Sequence, residues 1–152
     1  MGTAIHRKAK DFRWEGVDVL PYKEDGRALF KGVTRQVLFR DPEQQSELRY
    51  FEVAPGGFST LERHEHTDSV LILRGRGRCL VARDVRALET NDLVAVPPMT
   101  WHQFRASEGE PLGFLCMVNA ARDKPQLPSA EELAKLERDA EVAAFLRNEP
   151  KA

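Results

Sequence analysis

From residue 28 to about residue 120, apolar positions come in short runs broken by turn chemistry. The runs are ALFKGVTRQVLFR, ELRYFEVA, SVLILRG, RCLVARD, DLVAVP, HQFRA and GFLCMVNA. Between them lie Asp41-Pro42, Pro55-Gly56-Gly57, Gly75 to Gly77, Asn91-Asp92, Pro97-Pro98 and Gly109. Many short β-rich runs with this punctuation predict an all-β sandwich or barrel, here over residues 31–121. No long helical pattern separates the runs, which argues against a parallel α/β sheet.

The two flanks read differently. Residues 1–30 are polar and mixed and predict an arm, with a turn at Asp25-Gly26 and one short strand in WEGVDVLPY interrupted by Pro21. Residues 122–152 predict a connector, stiffened by PQLP, and a C-terminal amphipathic helix over 129–147. That helix opens on a capping box, Ser129 to Glu132, and carries Leu133, Leu136, Ala140, Ala143 and Ala144 at helical spacing. It is expected to pack on the barrel or on a neighbouring subunit. There is no internal repeat.

Length and composition narrow the class. The chain has 152 residues, 41% of them hydrophobic, which suits one domain with a real core. Lys and Arg total 23 against 24 Asp and Glu, so no global field favours nucleic acid or an anionic membrane. No run approaches the ~20 apolar residues that span a bilayer, and MGTAIHRKAKDFRWEG lacks the apolar core of a secretory signal. Gly2 follows Met1, but His6 breaks the myristoylation pattern. A cytoplasmic protein is expected, with Cys79 and Cys116 as free thiols.

The chemistry concentrates in GGFSTLERHEHTDSVLILRGRG, where Glu62, His64, His66 and Asp68 fall at every second residue. In an extended strand all four project to one side, where they can hold a metal. The alternative is a solvated, charged sheet edge.

These residues resemble the cupins, small double-stranded jelly rolls whose motifs have the forms G-x5-H-x-H-x3-E-x6-G and G-x5-P-x-G-x2-H-x3-N. Gly56, Glu62, His64, Asp68 and Gly75 match the first at every interval, and Asn91, Pro97, Met99, His102 and Ala106 match the second. Identities depart where Glu62 stands for the first His and Asp68 for the Glu, and where Asn91, Met99 and Ala106 replace Gly, Gly and Asn. The resemblance implies a divalent metal held by Glu62, His64, Asp68 and His102. Both replaced ligands still donate a lone pair. Two carboxylates with two imidazoles form a hard set that favours Mn(II), with Fe(II), Ni(II) and Zn(II) open. Asp68 is one methylene shorter than Glu, which leaves its reach open. A second register pairs His64 with His66 as the motif's own H-x-H, with Gly77 closing, but puts Val70 at the carboxylate position and Phe58 at the opening Gly. In either register His64 and His102 are ligands, and His66 is a fourth or fifth ligand or an acid/base group beside the metal. A cupin that kept the spacing and lost the metal is the remaining alternative.

Cys116 lies in LGFLCMV, as a small buried hydrophobe or as a nucleophile. The alternation of Leu112, Phe114, Cys116 and Val118 against Gly113, Leu115, Met117 and Asn119 leaves its face open. In a cupin the strand after the second motif is expected to return beside the strand that carries its His, bringing Cys116 near His102. A thiol beside a divalent cation would have a lowered pKa.

Cys116 with the E-R-H-E-H pattern resembles the 1-methylthio-D-xylulose 5-phosphate methylsulfurylase subgroup of small cupins. That resemblance implies transfer of a methylsulfuryl group from a small methylthio sugar phosphate to glutathione, leaving 1-deoxy-D-xylulose 5-phosphate, with Cys116 as nucleophile and His66 moving protons. A homodimer is expected. Arg35, Arg40, Arg49 and Arg105 are candidates for the phosphate, and Trp101, Phe104 and Phe114 for an apolar pocket wall. The rivals are a metal-dependent dioxygenase or sugar isomerase using the same ligands, and a non-catalytic small-ligand binding module.

Overall fold

The structure, a computed structural model, describes residues 6–23 and 29–148. The predicted turn at Asp25-Gly26 lies outside them. Eleven strands run in chain order among the described residues: β1 (Ala9–Lys10), β2 (Arg13–Trp14), β3 (Leu20–Pro21), β4 (Lys31–Asp41), β5 (Ser46–Phe58), β6 (Asp68–Gly75), β7 (Gly77–Val81), β8 (Asp84–Leu88), β9 (Leu93–Val96), β10 (His102–Ala106) and β11 (Leu112–Asn119). Helices α1 (Ala130–Leu136) and α2 (Ala140–Leu146) follow.

All pairings are antiparallel. The main sheet runs β8-β7-β10-β5-β11-β6-β9, with β4 also on β5 and β3 on β4. Strand β5 joins the layers, because its first part pairs with β11 and its last residue, Phe58, pairs with Arg105 of β10. The sheet curls around a core that includes Val33, Val53, Ile72, Leu88 and Leu112. Alternation fixes the inner face of β11, where Leu112, Phe114, Cys116 and Val118 are buried and Met117 and Asn119 are exposed.

Three expectations change in detail. Pro55-Gly56-Gly57 does not end a strand; β5 runs through it and bends at Gly56, whose φ of +73° suits glycine. Strand β8, DVRAL, was not expected, because its exposed Asp84, Arg86 and Ala87 leave no apolar alternation to read. The C-terminal helix is two helices. Asp139 accepts from the N–H groups of Glu141 and Val142 and so caps α2, while Ser129 and Glu132 close the expected capping box on α1. Leu136, Val142 and Phe145 pack with Leu80, on the opposite face of β7 from the core residue Cys79. The helices therefore cover the outside of the barrel wall.

The motif glycines acquire a backbone reason. Gly56 and Gly75 have φ of +73° and +75°, and at the two glycine positions of the second motif Asn91 and Met99 also take positive φ, +79° and +54°. The spacing marks left-handed turns that hold the site loops.

Candidate metal centre

The residues from 61 to 67 do not form a strand. They make isolated bridges, Glu62 with His102 and Arg63 with Gln126, and bend at 65 and 66. The alternation nevertheless persists, since Glu62, His64 and Asp68 are buried, His66 is half-buried, and Glu65 and Thr67 are exposed. All four predicted residues face one cavity of about 660 Å³ inside the barrel, together with His102, Phe104, Phe114 and Cys116.

Glu62 and His102 are held opposite each other by a pair of backbone hydrogen bonds, Glu62 N to His102 O at 3.2 Å and His102 N to Glu62 O at 3.0 Å. The Nδ1 of His102 donates to the Thr100 carbonyl at 2.9 Å, and that of His64 to the His66 carbonyl at 2.7 Å. A carbonyl only accepts, so both rings carry their proton on Nδ1 and aim a lone pair from Nε2. Those two Nε2 atoms lie 3.3 Å and 3.4 Å from one oxygen, Asp68 Oδ2. The shorter Asp68 side chain thus still reaches both imidazoles.

Lone pairs converging on a carboxylate need positive charge between them, from added ring protons or from a cation. Burial alone would raise the Asp68 pKa, but the His102 and His64 rings, which donate to it when protonated, outweigh burial and hold the carboxyl well below its usual range. Burial likewise opposes a charged His64, and Asp68 overrides it and pulls that pKa up. The second Asp68 oxygen, Oδ1, is buried with no hydrogen-bond partner. Glu62, His64 and His102 offer donor atoms within 4.8 Å of one another, and so do His64, His66 and Asp68. Oriented imidazoles, carboxylates and an orphaned carboxylate oxygen fit a divalent transition metal. Val70, the carboxylate position of the alternative register, belongs to the apolar core.

His66 stacks on His64, with ring centroids 3.6 Å apart and planes 4° apart. Its Nδ1 is 2.8 Å from Asp123 Oδ1, and its Nε2 is 3.7 Å from Asp68 Oδ1. Burial lowers the His66 pKa and the nearby His64 adds to the effect, against the hydrogen bond to Asp123, which raises it. Burial of Asp123 acts against its charge, yet the Glu65 N–H and the His66 ring hold its pKa at about 2.

Cys116 faces the cavity, but not through the expected hairpin. Strand β11 pairs with β5 and β6, whereas β10 pairs with β7 and β5, so β5 lies between the strand of Cys116 and that of His102. It stands directly across the ladder from Arg49, whose Nη2 donates to Sγ at 3.6 Å. In the structure as it stands, burial first and the Asp68 carboxylate second push the thiol up to about 12. The lowered pKa expected of a cation-bound site therefore depends on the cation being there.

The four phosphate candidates separate. Arg35 and Arg49 line the cavity. Arg40 is exposed and lies 3.8 Å from Glu47. Arg105 points to the other side, donating to the Leu146 carbonyl at 2.9 Å between the Phe58 and Phe145 rings, and burial lowers its pKa to about 10. Trp101 is not a pocket wall; it packs with the Leu80 cluster under the helices and carries Arg63 on its ring at 4.4 Å. Phe104 and Phe114 do line the cavity.

Sequence reasoning missed Tyr22, Lys23, Arg122, Asp123 and Lys124, all of which line the cavity. Lys23 meets Glu62 at 2.6 Å across 39 residues, and Asp123 meets His66 across 57. Neither carries a local spacing signal.

Comparison with known proteins agrees with this fold. The cupin domain model matches residues 49–118. A Rhodospirillum rubrum protein named 1-methylthio-D-xylulose 5-phosphate methylsulfurylase is 61% identical over 135 residues, covering 89% of this chain and 86% of that protein. Among solved structures, a cupin 2 conserved barrel domain protein from Rhodopseudomonas palustris superposes with a TM-score of 0.87 at 54% identity, covering 93% of this chain and 98% of that one. A cupin-2 domain of Rhodospirillum rubrum gives 0.85 at 56% identity, over 94% and 96% of the two chains. With its motif positions on the turns and buried donors just described, and with a 61% identical relative over most of its length, this chain belongs to the cupin family.

Proposed function

We propose that the chain is a metal-dependent enzyme that transfers a methylsulfuryl group from a small methylthio sugar phosphate to a thiol. The observation that carries the reading is the convergence of His64 Nε2 and His102 Nε2 on Asp68 Oδ2, at 3.3 Å and 3.4 Å, with Cys116 facing the same cavity. The relative's name supplies the substrate class.

His64, His102, Asp68 and Glu62 are the residues that would hold the metal, Mn(II) by preference and Fe(II), Ni(II) or Zn(II) otherwise. Bound there, it supplies Lewis-acid polarisation of a substrate carbonyl and stabilises the neighbouring thiolate. Cys116 attacks the methylthio sulfur, and the bond from that sulfur to carbon 1 breaks with its electron pair going to carbon 1, beside the ketone. Carbon 1 takes a proton, and Cys116 is left as a methyl disulfide. The thiolate of glutathione then attacks the outer sulfur, which restores Cys116. Carbon 1 is reduced by two electrons and the sulfur pair oxidised by two, so nothing beyond the acceptor thiol is consumed. His66, positioned by Asp123, takes the Cys116 thiol proton and gives it to carbon 1, and the proton released by the glutathione thiol restores Cys116 to its starting state. Phe104 and Phe114 keep water from the reacting carbon.

The test is an assay of the metal-loaded protein with 1-methylthio-D-xylulose 5-phosphate and glutathione, for wild type and Cys116→Ala. Release of 1-deoxy-D-xylulose 5-phosphate by wild type alone supports the reading. Equal turnover by the variant removes the thiol from the mechanism.

A further inference from the structure

We infer that Arg35 and Arg49 form the phosphate subsite of this cavity, a guanidinium pair on adjacent strands with Arg35 as its anchor. The assignment deepens the proposed function and rests on that cavity being a substrate site. Arg35 of β4 pairs with Phe51 of β5, and Val37 with Arg49, so the two arginines are diagonal neighbours on one face of the ladder. Both line the cavity.

The cations around the cavity differ in how far they are already neutralised. Lys23 is bound to Glu62 at 2.6 Å, and Arg122 lies 3.4 Å from Glu47. Arg49 has a long contact to the same Glu47, 3.9 Å from Nε, a 3.6 Å hydrogen bond to Cys116 and the Phe51 ring 4.8 Å from its guanidinium carbon. The Arg35 side chain makes no hydrogen bond or ion pair among the described residues. The Nε atoms of both arginines are buried without a hydrogen-bond partner. Burying a guanidinium N–H without an acceptor is costly, so the arrangement is suited to a ligand that brings acceptors. A phosphate monoester does so, since its dianion accepts from planar guanidinium forks side by side. The apolar Val33, Phe51 and Phe114 around the pair lower the local dielectric and strengthen the attraction. Arg49 then touches both the subsite and the thiol, and sets the distance between the phosphate and the reacting sulfur.

The carboxylates of glutathione share this oxyanion chemistry, and binding measurements separate the two sources. Isothermal titration of the metal-loaded protein with inorganic phosphate, with a pentulose 5-phosphate and with glutathione is compared for wild type, Arg35→Gln, Arg35→Lys and Arg40→Gln. Arg35→Gln is expected to weaken both phosphate ligands by about 10-fold or more and to leave glutathione unchanged. Arg40→Gln should bind as wild type does. Arg35→Lys keeps the charge, loses the fork and should be weaker by several-fold, which carries the test should the Gln variant fail to fold. Unchanged phosphate affinity in the folded Arg35 variants overturns the assignment, as does a weakening confined to glutathione. Arg35-dependent phosphate binding without methylsulfuryl turnover would sink the sulfur-transfer reading alone. Turnover with the same KM in wild type and Arg35→Gln would sink the subsite alone.

Discussion

Asp123 Oδ1 lies 2.8 Å from His66 Nδ1, and the same carboxylate accepts the backbone N–H groups of Glu65 and His66 at 2.8 Å and 3.2 Å. One side chain from the connector thus fixes both the bend beneath the site and the tautomer of a ring inside it.

Replacing Asp123 by Asn removes that control. Turnover is expected to fall by ~10- to 100-fold, as for other groups that orient an active imidazole. Steady-state kinetics would show a drop in kcat with metal content retained.

The same residue gives an acid-stability prediction. Its folded pKa of about 2 lies below the unfolded value near 4, so its contribution is complete above about pH 4 and disappears as the pH falls through about 2. Denaturant unfolding of wild type and Asp123→Asn should show a stability gap at neutral pH that closes across that window. A gap that stays constant down to the acid limit contradicts the pairing.

Thiol alkylation reads the state of Cys116. In protein stripped of metal, the pKa of about 12 leaves little thiolate, and reaction with iodoacetamide should be slow at neutral pH and rise steadily with pH beyond the usual range near 8.5. Restoring the metal should speed the reaction at neutral pH. Equal rates with and without metal would separate the thiol from the centre.

The turns that hold the site can be tested through Gly75. It has φ of +75° and faces the backbone of Pro111, so a Cβ there meets both strain and a clash. Gly75→Ala is expected to cost more than ~1 kcal/mol in chemical denaturation. At Asn91, already left-handed with a side chain, a change to Gly should be close to neutral.

Much of this was readable from local pattern. The alternation of Glu62, His64, His66 and Asp68 survives as a burial pattern even though the segment is a bent loop. Motif spacing also reflects the four left-handed turns. The rest depends on contacts far apart in the chain. Asp123, Lys23 and Arg122 enter the cavity from the connector and the arm, where no periodicity marks an inward residue. The alternation of β11 allowed either face for Cys116, and only pairing with β5 and β6 selects one. Trp101 adjoins a site histidine, yet faces the Leu80 cluster, because its direction depends on where α1 and α2 pack. Asp139 hides inside a helical pattern, since an N-cap and a mid-helix Asp look alike until the helix is seen to stop.

The central claim is that His64, His102 and Asp68 converge on a cation. Metal content by mass spectrometry on protein purified without chelator, wild type against His102→Ala, tests it most directly. Near-stoichiometric manganese or iron in wild type, lost in the variant, is the predicted result. Wild-type protein that carries no metal and takes none up, or a variant that holds as much as wild type, would contradict it.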